Sequence, residues 1–113
     1  MILIEQPIAL KELSQQVTSG FSDLIKIVVD TDKEIIAADA ELHADLEELL
    51  LSKGSEQEFL WGANLYPKNS GDDFIEYTAF INIRPAMDNR SMEIEDDEIR
   101  QKVKDIVNNL IFI

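Results

Sequence analysis

The chain has 113 residues, 23 acidic against 10 basic side chains for a formal charge of −13, no cysteine, and 45% hydrophobic content. A domain of that length buries roughly two-thirds of the surface its unfolded chain exposes, and 4 Gly with 3 Pro exclude collagen-like and disordered compositions. The missing cysteines exclude disulfides, zinc-thiolate sites and thiol nucleophiles, and no apolar run exceeds four residues, too short for a spanning helix.

Met1–Glu5 predicts a short strand, which Pro7 stops ahead of a helix. From Ala9 to about Ser19, Leu10, Leu13 and Val17 recur at helical spacing, with Lys11, Glu12, Gln15 and Gln16 opposite and Gly20 as the terminating residue. Leu24–Asp30 is β-branched and predicts a buried strand. Asp30-Thr31-Asp32-Lys33 turns the chain into a further strand from Glu34 to about Leu42. Its parity sets Ile36, Ala38, Ala40 and Leu42 on one face and Asp39, Glu41 and His43 on the other. Asp45 and Glu48 have capping-box spacing at the start of a short helix carrying Leu46, Leu49 and Leu50 and ending at Gly54. Extending that helix back to Asp39 also fits Leu42; the strand is the preferred reading.

Phe59–Tyr66 and Phe74–Arg84 read as an aromatic-rich antiparallel hairpin around the turn-forming segment Pro67–Asp73, with Pro85 closing the second strand. Ala86–Glu95 is polar and irregular. Ile99, Val103, Ile106, Val107 and Leu110 then repeat at helical spacing behind the acidic start Glu95-Asp96-Asp97-Glu98, the order that suits a helix dipole. The apolar tail Leu110-Ile111-Phe112-Ile113 is expected to pack as an edge strand or to form a self-association interface, as in a homodimer. These elements predict an α+β single domain over residues 1–113, in the order β-α-β-β-α-β-β-α, with a mainly antiparallel twisted sheet and helices packed on one face.

Chemistry has few places to sit. Glu41, His43 and Asp45 share a direction in an extended chain. Glu41 would there orient His43 as a general base, and the three would form a weak oxygen-rich metal site. The competing reading is a solvated strand end with Asp45 used as a helix cap. One histidine is too few for the familiar zinc pattern, and no cofactor is expected. Asp30, Asp32, Glu34 and Glu41 match calcium-loop spacing, but Ile35 stands where that loop requires glycine, so the match is coincidence. Asn82, Arg84, Asn89, Arg90 and Ser91 form a second candidate, because guanidinium forks match a carboxylate or phosphate. The competing reading there is internal pairing with Asp88, Glu93 and Glu95. Asn89-Arg90-Ser91 is also a glycosylation sequon, without meaning unless the chain is secreted. Asn64 is an uncommon strand residue and joins the ligand-binding candidates. Gly62 suggests a close backbone approach, and Trp61 a core position before a pocket wall.

The blocks Glu41-Leu42-His43-Ala44-Asp45, Leu60-Trp61-Gly62-Ala63-Asn64-Leu65-Tyr66-Pro67, Ile81-Asn82-Ile83-Arg84-Pro85 and Asn89-Arg90-Ser91 resemble those of a small prokaryotic family of uncharacterised proteins. The resemblance implies a bacterial, cytoplasmic, compact domain and names no substrate. The start Met1-Ile2-Leu3-Ile4-Glu5 lacks the basic residues of a secretory signal, which fits that compartment. Residues 1–56 carry 4 basic and 12 acidic side chains and residues 57–113 carry 6 and 11, so neither half suits nucleic acid or an anionic membrane. Without a complete catalytic set, the leading expectation is a non-catalytic binding or interaction module. Its polar recognition surface on the sheet would carry Glu41, His43, Asn82 and Arg84. The alternatives are a small enzyme with His43 as base and Arg84 and Arg90 holding an anionic metabolite, or an acidic inhibitor of a basic protein.

Overall fold

In the computed structural model, which describes residues 1–18 and 23–113, the chain runs β1 (Ile2–Ile4), β2 (Ile8–Ala9), α1 (Leu10–Gln16), β3 (Ile25–Asp30), β4 (Ile35–Ala38), α2 (His43–Ser52), β5 (Leu60–Leu65), β6 (Ile75–Glu76), α3 (Asp97–Leu110) and β7 (Ile111–Phe112). The most deeply buried strands, β3 and β5, lie at the centre of a five-stranded sheet of order β1-β4-β3-β5-β6, antiparallel throughout. The α+β class and the mainly antiparallel sheet are as the sequence patterning predicts. β2 and β7 form a separate parallel pair. Ile111 of the apolar tail is therefore buried against the chain's own first segment, while Ile113 is 96% exposed.

Helices cover both faces of the sheet, a correction to the single covered face expected. Leu10 and Leu13 of α1 and Val103, Ile106, Val107 and Leu110 of α3 pack on Ile27, Val29, Ile36, Ala38, Trp61, Ala63 and Leu65. Leu46 and Leu50 of α2 pack on the opposite parity, Val28, Ala37 and Leu60. A strand apolar at consecutive positions, such as Ile27-Val28-Val29, has to be covered twice. Each such aliphatic side chain contributes about 1.5–3 kcal/mol by leaving water.

The local departures have physical causes. The predicted strand to Leu42 stops at Ala38, because Asp39 takes a left-handed φ of 73°. Its carboxylate accepts the main-chain N–H and the hydroxyl of Thr18. The turn breaks the parity: Ala40 packs in the α2 cluster and Leu42 is 58% exposed. Helix α2 starts at His43, so neither the long strand nor the helix from Asp39 forms. No side chain caps α2; Asp45 lies inside its first turn, where a carboxylate favours the positive end of the dipole. The stop at Gly54 is real. Gly54 has φ of 94°, its N–H meets Leu51 O at 3.1 Å, and Ser55 N–H meets Leu50 O at 3.0 Å, the paired closure of a Schellman motif.

Of the predicted strand Phe74–Arg84 only β6 survives, followed by a bridge from Thr78 to Glu93 and tight turns at Phe80–Asn82 and Pro85–Met87. Helix α3 opens on Asp96, whose carboxylate accepts the N–H groups of Glu98 and Ile99. The expected terminator Gly20 of the first helix lies outside the described residues. Among the described residues no helix is long and apolar enough to cross a membrane.

Candidate functional site

The register of β3, β5 and β6 sets Lys26 opposite Asn64 and Asn64 opposite Glu76. Paired residues of antiparallel strands share a face, so three polar side chains form a row across the sheet on the α2 side. His43, first residue of α2, places Nε2 2.9 Å from the main-chain oxygen of Ala63. A carbonyl only accepts, which assigns the ring proton to Nε2. Burial is the main influence on this imidazole and holds it below its ordinary value of 6.5, against the bond to Ala63; the charge of Lys26 pushes it down further.

Asn64 Nδ2 donates to Glu76 Oε1 at 2.8 Å and to Thr78 O at 3.3 Å, and Tyr66 donates its hydroxyl to the same Oε1 at 3.1 Å. Two acceptors on one side fix the amide, because flipping it would press its oxygen against theirs. Asn64 Oδ1 is consequently buried without a partner. Desolvation, then the Glu76 carboxylate, pushes the Tyr66 hydroxyl above its usual range.

Glu41 and Asp45 line a different depression, with Met1, Ala40, Glu48 and Leu49. The helical start at His43 removes the common direction that an extended chain would have given the three. Among the described residues no group of three or more His, Cys, Asp or Glu side chains is placed to hold a metal. Of the calcium-like spacing, Asp30 spends its carboxylate on the N–H groups of Asp32 and Lys33 and on the Ser55 hydroxyl, closing the turn between β3 and β4.

Asn82 is fully buried. Its Oδ1 accepts the N–H of Gly62 at 2.9 Å, and its Nδ2 donates to Gly62 O and Met92 O, both at 3.0 Å. One side-chain amide thus replaces the peptide group that β6 fails to offer β5. The close approach expected at Gly62 is present: a Cβ there would stand 2.5 Å from that of Ala79 and 3.3 Å from His43 Cδ2.

Arg84 reaches Glu47 of α2 at 3.3 Å and Leu60 O with Nη2, and its guanidinium lies 4.9 Å from the Trp61 ring centre. Its Nε and Nη1 are buried and unpartnered. Desolvation lowers its pKa and Glu47 opposes that; a guanidinium still stays charged. Trp61 is 2% exposed, a core residue.

Around Arg84, the loop binds itself. Asn89 Nδ2 donates to the carbonyls of Asn82, Ser91 and Glu93, and its Oδ1 accepts the N–H of Glu95. Arg90 is exposed and 3.6 Å from Asp88. The N–H groups of Arg90 and Ser91 and the Ser91 hydroxyl converge on Glu95 Oε2 at 2.7–2.9 Å. These bonds, the Ser91 N–H first, hold the Glu95 carboxyl below its usual range. An internal carboxylate therefore occupies the donors that an anionic ligand would need. Arg84 and Arg90 turn to different partners.

One concavity was not among the expectations. A cleft of about 580 Å³ runs along the β6 edge towards α3. Glu76, Tyr66 and Tyr77 stand on its sheet side, and Arg100 and Lys104 on its helix side. Arg100 lies over the Tyr77 ring at 5.2 Å and pairs with Glu93 at 3.6 Å. Asp72 and Asp73 add acidic side chains at the loop end. Aromatic content flagged the hairpin in the sequence, but only the packing of α3 beside β6 brings Arg100 and Lys104 to it. Glu76 joins the cleft to the row carrying Asn64 and Lys26.

The fold and this site define a class: an acidic α+β domain with a polar, tyrosine-lined cleft along one sheet edge. The chain belongs to the family described as protein of unknown function (DUF5674), which it matches over residues 2–110. No curated protein and no solved structure matches it.

Proposed function

We propose that this chain is a non-catalytic binding module whose recognition surface is the cleft along β6 together with the row Lys26–Asn64–Glu76. The carrying observation is the cleft itself, in which Asp72, Asp73, Glu76 and Glu93 outnumber Arg100 and Lys104. That balance suits a small ligand bearing an amine or amidine head, with Tyr66 offering a ring face for a cation. The enzyme alternative needs His43 and Arg84 to share a pocket, and neither lines this cleft. An acidic, cysteine-free domain of this kind suits the cytoplasm.

The test is a ¹⁵N-labelled titration of the full chain with agmatine and, separately, with inorganic phosphate. Agmatine is expected to move the signals of Tyr66, Glu76, Tyr77 and Arg100, and Glu76→Gln to weaken that binding about tenfold, the loss of one charge-assisted contact. A phosphate response at the same residues without an agmatine response defeats the reading. So does silence from both.

A further inference from the structure

We infer that the groove between the start of β1 and α2 is a docking surface for a basic amphipathic segment of a partner protein. The groove encloses about 520 Å³, separate from the cleft along β6. Its floor is apolar, built by Met1, Ala40 and Leu49, and its rim carries Glu41, Asp45 and Glu48. No Lys or Arg side chain lines it, and none of the three carboxylates takes part in an ion pair among the described residues.

The rim is a consequence of helical spacing. Asp45, Glu48 and Leu49 stand at i, i+3 and i+4, so α2 presents two carboxylates and an apolar group on one side, while Leu46 and Leu50 are buried beneath. Unpaired like charges around an apolar floor repel one another, and the repulsion is relieved by ammonium or guanidinium groups about one helical turn apart flanking an aliphatic side chain. That pattern is a basic amphipathic helix laid in a groove. The other occupants fit less well. A second copy of this chain brings its own charge of −13, nucleic acid and anionic lipid are repelled by the rim, and a metal finds no ligand cluster among the described residues. The net charge also speeds encounter with a basic partner at low salt.

The experiment uses the full ¹⁵N-labelled chain and an amphipathic peptide of leucine and lysine at helical spacing, with polylysine of equal charge as comparison. Shift changes are expected at Ile2 and across residues 40–52. The triple variant Glu41→Gln, Asp45→Asn, Glu48→Gln is expected to weaken the peptide about tenfold or more. The charge-matched variant Glu5→Gln, Glu12→Gln, Glu58→Gln removes equally many exposed carboxylates elsewhere and is expected to weaken it less than about threefold. Equal weakening by both variants overturns the inference, as do shifts spread over the whole acidic surface or polylysine binding as tightly at the same residues.

Discussion

His43 is held below its ordinary 6.5 chiefly by burial, against the opposing bond to Ala63 O. Its Nε2–H is given to Ala63 O, its ring edge rests on Gly62, and Lys26 is a nearby positive charge. The unfolded chain binds a proton here near 6.5 and the folded chain binds it less readily. The associated stability is present above pH 6.5 and is lost as pH falls from there towards the lower folded value. Unfolding free energy from urea denaturation is therefore expected to decline between pH 7 and pH 5.5, with a slope no steeper than about 1.4 kcal/mol per pH unit for one proton. His43→Gln keeps an N–H near Ala63 O and removes the titration, so its profile is expected to be flatter in that window. Parallel profiles for the two proteins sink the argument. Glu95 does not confuse the reading: its carboxyl is held below the ordinary 4.5, so its contribution is present above that value and disappears at lower pH than His43's.

At the scale of elements, the central question is what closes β5 once β6 has left it. The answer is Asn82, which pairs with both backbone groups of Gly62, so the strand ends in a side chain. Asn82→Ala leaves the N–H and C=O of Gly62 and one bond to Met92 unmet in a buried place. At about 1 kcal/mol or more for each unmet group, the variant is expected to lose roughly 3 kcal/mol, read as a lower urea midpoint. A loss below about 1 kcal/mol shows that water or a neighbouring strand replaces the amide.

The same segment shows where sequence reading stops. Helix α3, β3 and the Gly54 terminus were legible, because their signals are local: periodicity, β-branching and a glycine at a helix end. Phe74–Arg84 looked like a strand because Phe74, Ile75, Tyr77, Phe80, Ile81 and Ile83 are strand formers. Phe80 is nevertheless 76% exposed and Ile83 43%. The premature end of β4 turns on one left-handed residue, Asp39, whose composition signal is faint. His43 and Asn64 were each singled out, but their company with Lys26 and Glu76 depends on cross-strand register, a property of residues 12 to 50 positions apart in the chain.

For the molecule as a whole, charge is the unbalanced term. A net −13 is spread over extents of 37 × 30 × 24 Å, and three of the four ion pairs among the described residues have a partner at least 66% exposed. Such pairs contribute little, so the folded chain concentrates repulsion that the unfolded chain dilutes, and salt is expected to stabilise it. The length scale says where. At about 0.01 M salt the Debye length is about 30 Å and carboxylates on opposite sides of the molecule still interact; at about 0.1 M it is about 10 Å and only neighbours do. The thermal midpoint is therefore expected to climb by several degrees between those concentrations of sodium chloride. Beyond them the climb is expected to flatten, since only neighbouring charges are left to screen. A midpoint that falls with salt means that attractive pairs outweigh repulsion. One that keeps rising well past 0.1 M with no sign of flattening assigns the stabilisation to solute exclusion instead of screening.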